Sequence, residues 1–210
     1  KYCVIPKYGF PVDVVELQIY KEGVLDNSYD LSRDLKIAIS EYAPDSEIIV
    51  DGKKYTSKYI SLPKTGEWPK HYFCTCSNCK KVNVYLSTRT ASECKYCGES
   101  IVSEKAEFYI EPNNGFKTGI TKESTRMKPK RSYAGEVSYL GGGIKGDNCL
   151  EIDRTITIET SSNDELLIMN KSSFYICHIC GYSDIVKGRV QTPTVFRKHK
   201  NFRQFDCKCE

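Results

Sequence analysis

Eight of the eleven cysteines fall in close pairs, and such pairs hold metal ions. Cys76 and Cys79 form a C-x2-C, as do Cys94 and Cys97, with 14 residues between the pairs. A tetrahedral Zn²⁺ takes four thiolates at about 2.3 Å, and a two-residue spacer lets one tight turn supply two of them. Gly98, directly after the second pair, permits the turn. This spacing predicts a structural zinc ribbon. Cys74, two residues before Cys76, competes in principle as a ligand, but the symmetric pairs are the better set. A second cluster begins at Cys177 and Cys180, followed by Gly181, and continues at Cys207 and Cys209. Cys177, Cys180 and Cys207 are three ligands of a second zinc. The fourth is either Cys209 or His199, since a C-x-C pair can bind one metal and sets of three cysteines with one histidine also occur. His178 lies inside the knuckle and is expected to point outward.

Disulfides are the competing chemistry. They belong to short, secreted, loop-rich chains, whereas this one is long, rich in Lys and Glu, and has an odd cysteine count. No βαβ pattern surrounds a C-x-x-C, which argues against a thioredoxin-like redox role. A four-thiolate zinc site is closed to substrate, so the metals are expected to supply folding free energy rather than catalysis.

The elements that must carry these ligands read mostly as strands. Residues 12–17 alternate like a strand after a Pro/Gly-rich lead-in. Residues 31–42 put Leu31, Leu35, Ile39 and Tyr42 at helical spacing, although Ile37-Ala38-Ile39 also fits a short strand; Pro44 ends the segment either way. Glu47–Val50, Asp51-Gly52 and Lys53–Thr56 read as a hairpin with a two-residue turn. Val82–Ser87 predicts a strand between the first two knuckles, and further strands are expected at 106–111, 132–140, 150–160 and 164–170. Gly141-Gly142-Gly143 reads as a turn. The expected fold is α+β, mostly β, with two zinc modules: an N-terminal β-rich part (1–70), a zinc ribbon (71–105), and a β-rich part with the second module (106–210), which stops inside a cysteine cluster and so reads as a truncated piece of a longer protein.

Composition narrows the function. The 210 residues are 40% hydrophobic and 28% charged, with 15 tyrosines and a net charge of +4. That fits a folded chain and argues against long disorder. No apolar run is long enough to span a bilayer, and no signal peptide is seen, so a cytoplasmic protein without membrane contact is expected. There is no P-loop, H-E-x-x-H, G-x-S-x-G or kinase motif set, so no catalytic residue is assigned. Two basic segments stand out. Lys122, Arg126, Lys128, Lys130 and Arg131 lie in 122–131; Arg197, Lys198, Lys200 and Arg203 lie in 197–203, flanked by Phe196, Phe202 and Phe205. Basic residues interleaved with aromatics suit a phosphate backbone with stacked bases.

Longer stretches carry a resemblance. Pro6–Leu17, Leu31-Ser-Arg-Asp-Leu35, Ala38–Pro44, Glu47–Lys53 and Tyr55-Thr-Ser57 are followed in order by Phe108–Pro112, Gly115-Phe116, Arg131-Ser-Tyr133, Leu166–Asn170, Phe174–Gly181 and His199–Cys207. This order resembles the C-terminal region of bacterial DEAD/DEAH-box superfamily-two helicases that carries the MrfA-like zinc-binding domain, and is also similar to the component-B protein of DISARM anti-phage systems. The resemblance spans almost the whole chain. It implies a non-catalytic accessory domain, acting in DNA repair or anti-phage defence, that binds DNA or docks the ATPase lobes of a parent chain or partner subunit. It favours His199 as the fourth ligand of the second zinc, while Cys209 keeps the choice open. Asp45 stands where that family often has glycine, so a local difference in the turn is expected. The alternative is a protein-interaction scaffold without nucleic-acid affinity.

Overall fold

The computed structural model describes residues 13–85, 92–101, 106–123, 128–133, 135–140, 149–153, 156–159, 165–186 and 198–208. Strands are numbered β1 to β15 along the chain, with one helix, α1, among the described residues. The architecture is mostly β, as expected. The chain divides into two compact units that interleave in sequence. Unit 1 comprises Lys1–Trp68, Pro112–Ala134 and Asn170–Glu210; unit 2 comprises Pro69–Glu111 and Gly135–Met169. This division differs from three successive stretches because strands distant in sequence pair with one another.

In unit 1, β1 (Val14–Lys21) alternates as its sequence demands: Val15, Leu17 and Ile19 are buried. It pairs antiparallel with β2 (Val24–Asp26) and β3 (Ser32–Asp34). The helix α1 (Leu35–Glu41) begins at Leu35 rather than Leu31, because Ser32–Asp34 pair with β1 and the Asp34 side chain caps the helix by accepting from the Lys36 N–H at 2.9 Å. Its inward residue, Ala38, and the following Tyr42 are buried, and Tyr42 meets Phe116 edge-on at 6.1 Å.

The hairpin of β4 (Glu47–Val50) and β5 (Lys53–Ile60) forms as read. Asp51 and Gly52 both take positive φ (47° and 69°), the conformation of a two-residue hairpin turn. Between β1 and β5 lies β9 (Phe116–Glu123), parallel to β1 and antiparallel to β5. No strand is expected there from the sequence, which places Lys122 in a basic loop. Lys122 instead belongs to β9, its backbone opposite Lys54. Phe116, Thr118 and Ile120 stand at every second position, a weak strand pattern diluted by the Lys and Gly between them; Phe116 and Thr118 are buried.

Asp45 sits in the turn that leads into β4. Its φ is 69°, in the left-handed region that Asp tolerates better than most residues. Its carboxylate pairs with Lys58, which also reaches Asp184 at 3.6 Å. Burial alone would lower Lys58 and raise Asp45, but their mutual hydrogen bond and charges win, leaving Lys58 above and Asp45 below the ordinary value. The lowered Asp45 therefore stabilises the fold fully above about pH 4 and ceases to as pH falls through its folded value; raised Lys58 stabilises below about pH 10 and ceases to as pH rises further. Lys58→Met is expected to cost about 3 kcal/mol at neutral pH, by leaving the buried Asp45 carboxylate without its cation. Chemical denaturation should also show a smaller stability loss between pH 5 and pH 3 than in the parent; an unchanged acid profile would refute the assignment.

Unit 2 holds a three-stranded sheet with β6 (His71–Thr75) between β7 (Val82–Tyr85) and β8 (Glu107–Tyr109). It also contains β10 (Gly135–Leu140) paired with β13 (Glu165–Asn170), and a hairpin of β11 (Cys149–Asp153) and β12 (Ile156–Glu159). The expected strands near 106–111 and 164–170 are present, the one expected at 132–140 starts at Gly135, and the single strand expected over 150–160 is instead the two antiparallel strands β11 and β12. The Gly141–Gly143 turn lies outside the described residues. No described helix is long and apolar enough to cross a membrane.

Candidate metal centres

The first centre is built from two hairpin tips in unit 2. β6 and β7 close over the Cys76–Cys79 knuckle, with Thr75 opposite Val82. A short bridge between Glu93 and Ser100 closes over Cys94–Cys97. Both tips use one hydrogen-bond pattern: the fifth residue's N–H returns to the first cysteine's carbonyl (Lys80 to Cys76, 3.0 Å; Gly98 to Cys94, 2.9 Å). That fifth residue needs positive φ, taken by Gly98 at 72° and by Lys80 at 60°. The four sulfur atoms lie within 4.8 Å of one another, with Cys76–Cys97 at 3.7 Å and Cys79–Cys94 at 3.6 Å. Four thiolates at 2.3 Å from one tetrahedral ion would stand about 3.8 Å apart. These spacings are far too long for disulfides, and Cys74 and the described cysteines of both clusters are free thiols.

The electrostatics call for a cation. Burial would raise Cys94, yet N–H donors from Tyr96 and Cys97 and the Asn83 amide bring it down to about 6. Cys79 is pushed up to about 12 by desolvation and by its thiol neighbours, against the Lys81 N–H. Packed sulfurs cannot all ionise against one another, and a divalent ion removes that conflict. Cys74 is buried in the same small core with Cys76, Cys94 and Ile101, but its thiol is outside the four-ligand set and shares a hydrogen bond with Tyr85.

Asn83, fully buried, is not marked by any motif in the sequence. Its amide donates to the Cys94 sulfur at 3.4 Å, and its carbonyl accepts from the Lys95 N–H at 2.9 Å. It fixes the second knuckle against β7. Asn83→Ala is expected to weaken metal retention at this centre by about 10- to 100-fold in chelator competition, with the second centre unaffected; equal retention at both would refute that role.

The second centre is in unit 1. The hairpin of β14 (Phe174–Ile176) and β15 (Ser183–Ile185) closes over Cys177–Cys180, and the Gly181 N–H returns to the Cys177 carbonyl at 2.8 Å. The other two ligands come from a different device. His199 and Cys207 flank a short hairpin closed by the Lys200–Asp206 bridge, and the Cys207 N–H donates to the His199 carbonyl at 3.0 Å. Cys177, Cys180, His199 and Cys207 form the set, with Cys177–Cys207 sulfurs at 3.7 Å and Cys180 Sγ to His199 Nε2 at 3.1 Å. Cys209 lies outside the described residues. His178 is exposed and outside the set, as expected.

The surroundings hold His199 in place. It is 6% exposed and stacks on Tyr182, centroids 4.5 Å apart. The buried Tyr59 packs against Cys177 and Cys180, and its hydroxyl donates to the Lys200 carbonyl at 2.8 Å. Burial, then the fields of Cys180, Tyr182 and Cys207, keep that hydroxyl protonated. Tyr59 pairs with Tyr182, the Ile60 N–H donates to the Gly181 carbonyl at 2.9 Å, and Ser183 Oγ donates to the Lys58 carbonyl at 3.0 Å. The knuckle is thus bonded directly to β5.

The basic residues fall as follows. Lys128, Lys130 and Arg131 are exposed; Lys130 is held at the start of β4 by backbone and carboxylate bonds with Glu47, each 2.9 Å. Lys198, Lys200 and Arg203 are exposed around the His199–Cys207 hairpin. Arg126 and Arg197 lie outside the described residues, and the Lys122 side chain is not among those described. Comparison of the chain with protein-family models, curated proteins and solved structures finds no match in any of the three.

Proposed function

We propose that this chain is a non-catalytic accessory domain, stabilised by two structural zinc ions, that binds nucleic acid. The observation that carries the binding part is the position of Lys128, Lys130, Arg131, Lys198, Lys200 and Arg203: all are exposed and all belong to unit 1. Zinc is the metal best suited to a set of four cysteines, and to one of three cysteines and a histidine, at these spacings; four protein ligands leave no position for substrate. The sequence resemblance supplies the setting, a helicase of superfamily two or a DISARM-like defence protein, where DNA binding would accompany docking of the ATPase lobes.

Exposed Val24 and Leu25 on the terminal strand β2 favour a second reading, a protein-docking scaffold. Salt separates the two. A phosphate-binding domain loses affinity steeply as salt rises, and charge reversal of Lys128, Lys130 and Arg131, or of Lys198, Lys200 and Arg203, should reduce both the affinity and the slope. DNA binding with neither affinity nor slope altered in those variants would exclude the assignment.

A further inference from the structure

The hairpin that carries His199 and Cys207 is more ordered than a connecting loop requires. Asn201 organises it: its side-chain oxygen accepts from the N–H groups of Arg203 (2.9 Å) and Phe205 (3.2 Å), and its own N–H donates to the Phe205 carbonyl (2.8 Å). Gln204 is held at φ 67°. The two metal ligands clamp the base.

Its two phenylalanines point to different environments. Phe202 is half-buried, with Tyr20 edge-on at 4.9 Å, Tyr59 at 6.0 Å and the Lys117 ammonium 4.0 Å above its ring. Phe205 is 68% exposed. Among the described Phe, Tyr and Trp side chains only one other is exposed, Phe108, and that one is met by Tyr72 and Lys70. The exposed charges on 198–208 are Lys198, Lys200, Arg203 and Lys208 against one carboxylate, Asp206. An exposed aromatic ring on an ordered hairpin that carries four cations, one of them Arg203 lying over the neighbouring Phe202 ring at 5.9 Å, matches one ligand chemistry: a polyanion that also offers aromatic faces. Paired bases hide those faces within the duplex stack; unpaired bases present them.

We propose that Phe205 is a stacking platform for an unpaired base, and that the hairpin binds single-stranded nucleic acid, with Arg203, Lys198 and Lys200 on the flanking phosphates. The proposal rests on the nucleic-acid-binding reading above and specifies its strand state. The rigid loop reduces the ordering entropy lost on binding.

The test is fluorescence anisotropy on the zinc-loaded 210-residue chain, with labelled oligo(dT) of about fifteen nucleotides and a blunt duplex of the same length. The wild type should prefer the single strand. Phe205→Ala should weaken single-strand binding about tenfold or more, with little change on duplex and an unchanged salt slope. Phe205→Trp should restore binding and Phe205→Leu should not, since bulk without a ring does not stack. If the wild type binds DNA in a salt-dependent way while Phe205→Ala or Phe205→Leu binds the single strand as well as wild type, the platform is overturned and the broader reading stands. If the wild type binds neither oligonucleotide, both fall.

Discussion

Cys94→Ser is expected to release the metal of the first centre and unfold the zinc ribbon around it, while the sheet of unit 1 persists. Cys94, Cys76, Cys74 and Ile101 form the buried cluster at that centre, with Cys79, Tyr85 and Tyr96 packed against it. So small a core cannot offset the entropy of ordering its loops. A structural zinc contributes about 10–16 kcal/mol of apparent binding free energy at neutral pH, which decides the balance. Metal content should fall from two zinc ions per chain to one, and proteolysis should begin within 69–101. His199→Ala is the counterpart. It should lose the other ion, yet leave the sheet protected, because Leu17, Ile19, Tyr42, Tyr55 and Phe116 are buried there without help from a ligand. A Cys94→Ser protein that keeps two ions and resists protease would refute the ribbon's dependence on metal.

Gly181→Ala should be much more damaging than Gly98→Ala, although the two glycines hold the same place in their knuckles. Both have positive φ, 77° and 72°, so both variants carry a strain of about 1–2 kcal/mol. Around Gly98 there is nothing within 4 Å of an added Cβ. At Gly181 that Cβ would stand 1.9 Å from the Ile60 carbonyl oxygen, a backbone atom of β5 that cannot move aside alone. Relief requires the knuckle to leave the sheet, breaking the bond from Ile60 to Gly181 and the Tyr59–Tyr182 pairing. We expect a loss of at least about 4 kcal/mol for Gly181→Ala against about 1 for Gly98→Ala. Urea unfolding of the two variants measures the difference; equal losses would show that the second knuckle is not locked to β5.

Much of the first centre was legible because C-x2-C is a local device: one turn, two ligands, one hydrogen-bond pattern. Lys80 was not legible in the same way: it sits where Gly98 and Gly181 sit and adopts their conformation without being glycine. At the second centre three ligands, Cys177, Cys180 and Cys207, were legible, and the fourth only as a choice between His199 and Cys209. Its knuckle is local, but His199 and Cys207 become neighbours by flanking a hairpin, and no fixed spacing announces that. The Asp51-Gly52 hairpin was plain from its turn residues. β9 was not, since its neighbours β1 and β5 are distant in sequence and its mixture of Lys, Thr and Gly resembles a solvated loop. The contacts of Asn83 and Lys58 are tertiary, and nothing in the local sequence marks them.

The parallel pairing of β9 with β1 has a consequence for how the chain comes off the ribosome. Leu17 and its partner Phe116 are roughly a hundred residues apart. At the usual pace of synthesis that interval lasts about 5–20 s, and for roughly its second half, once β5 has been made, β1 and β5 both wait for the strand that joins them. Both present open hydrogen-bonding edges in that period, a standing invitation to pair with another nascent chain. The Cys76–Cys97 ribbon, encoded between β5 and β9, is made of adjacent hairpins and can capture its metal and close before β9 appears. Early metal capture would shorten the loose chain between β5 and the arriving β9, so zinc supply should govern the yield of correctly folded protein as well as its final stability.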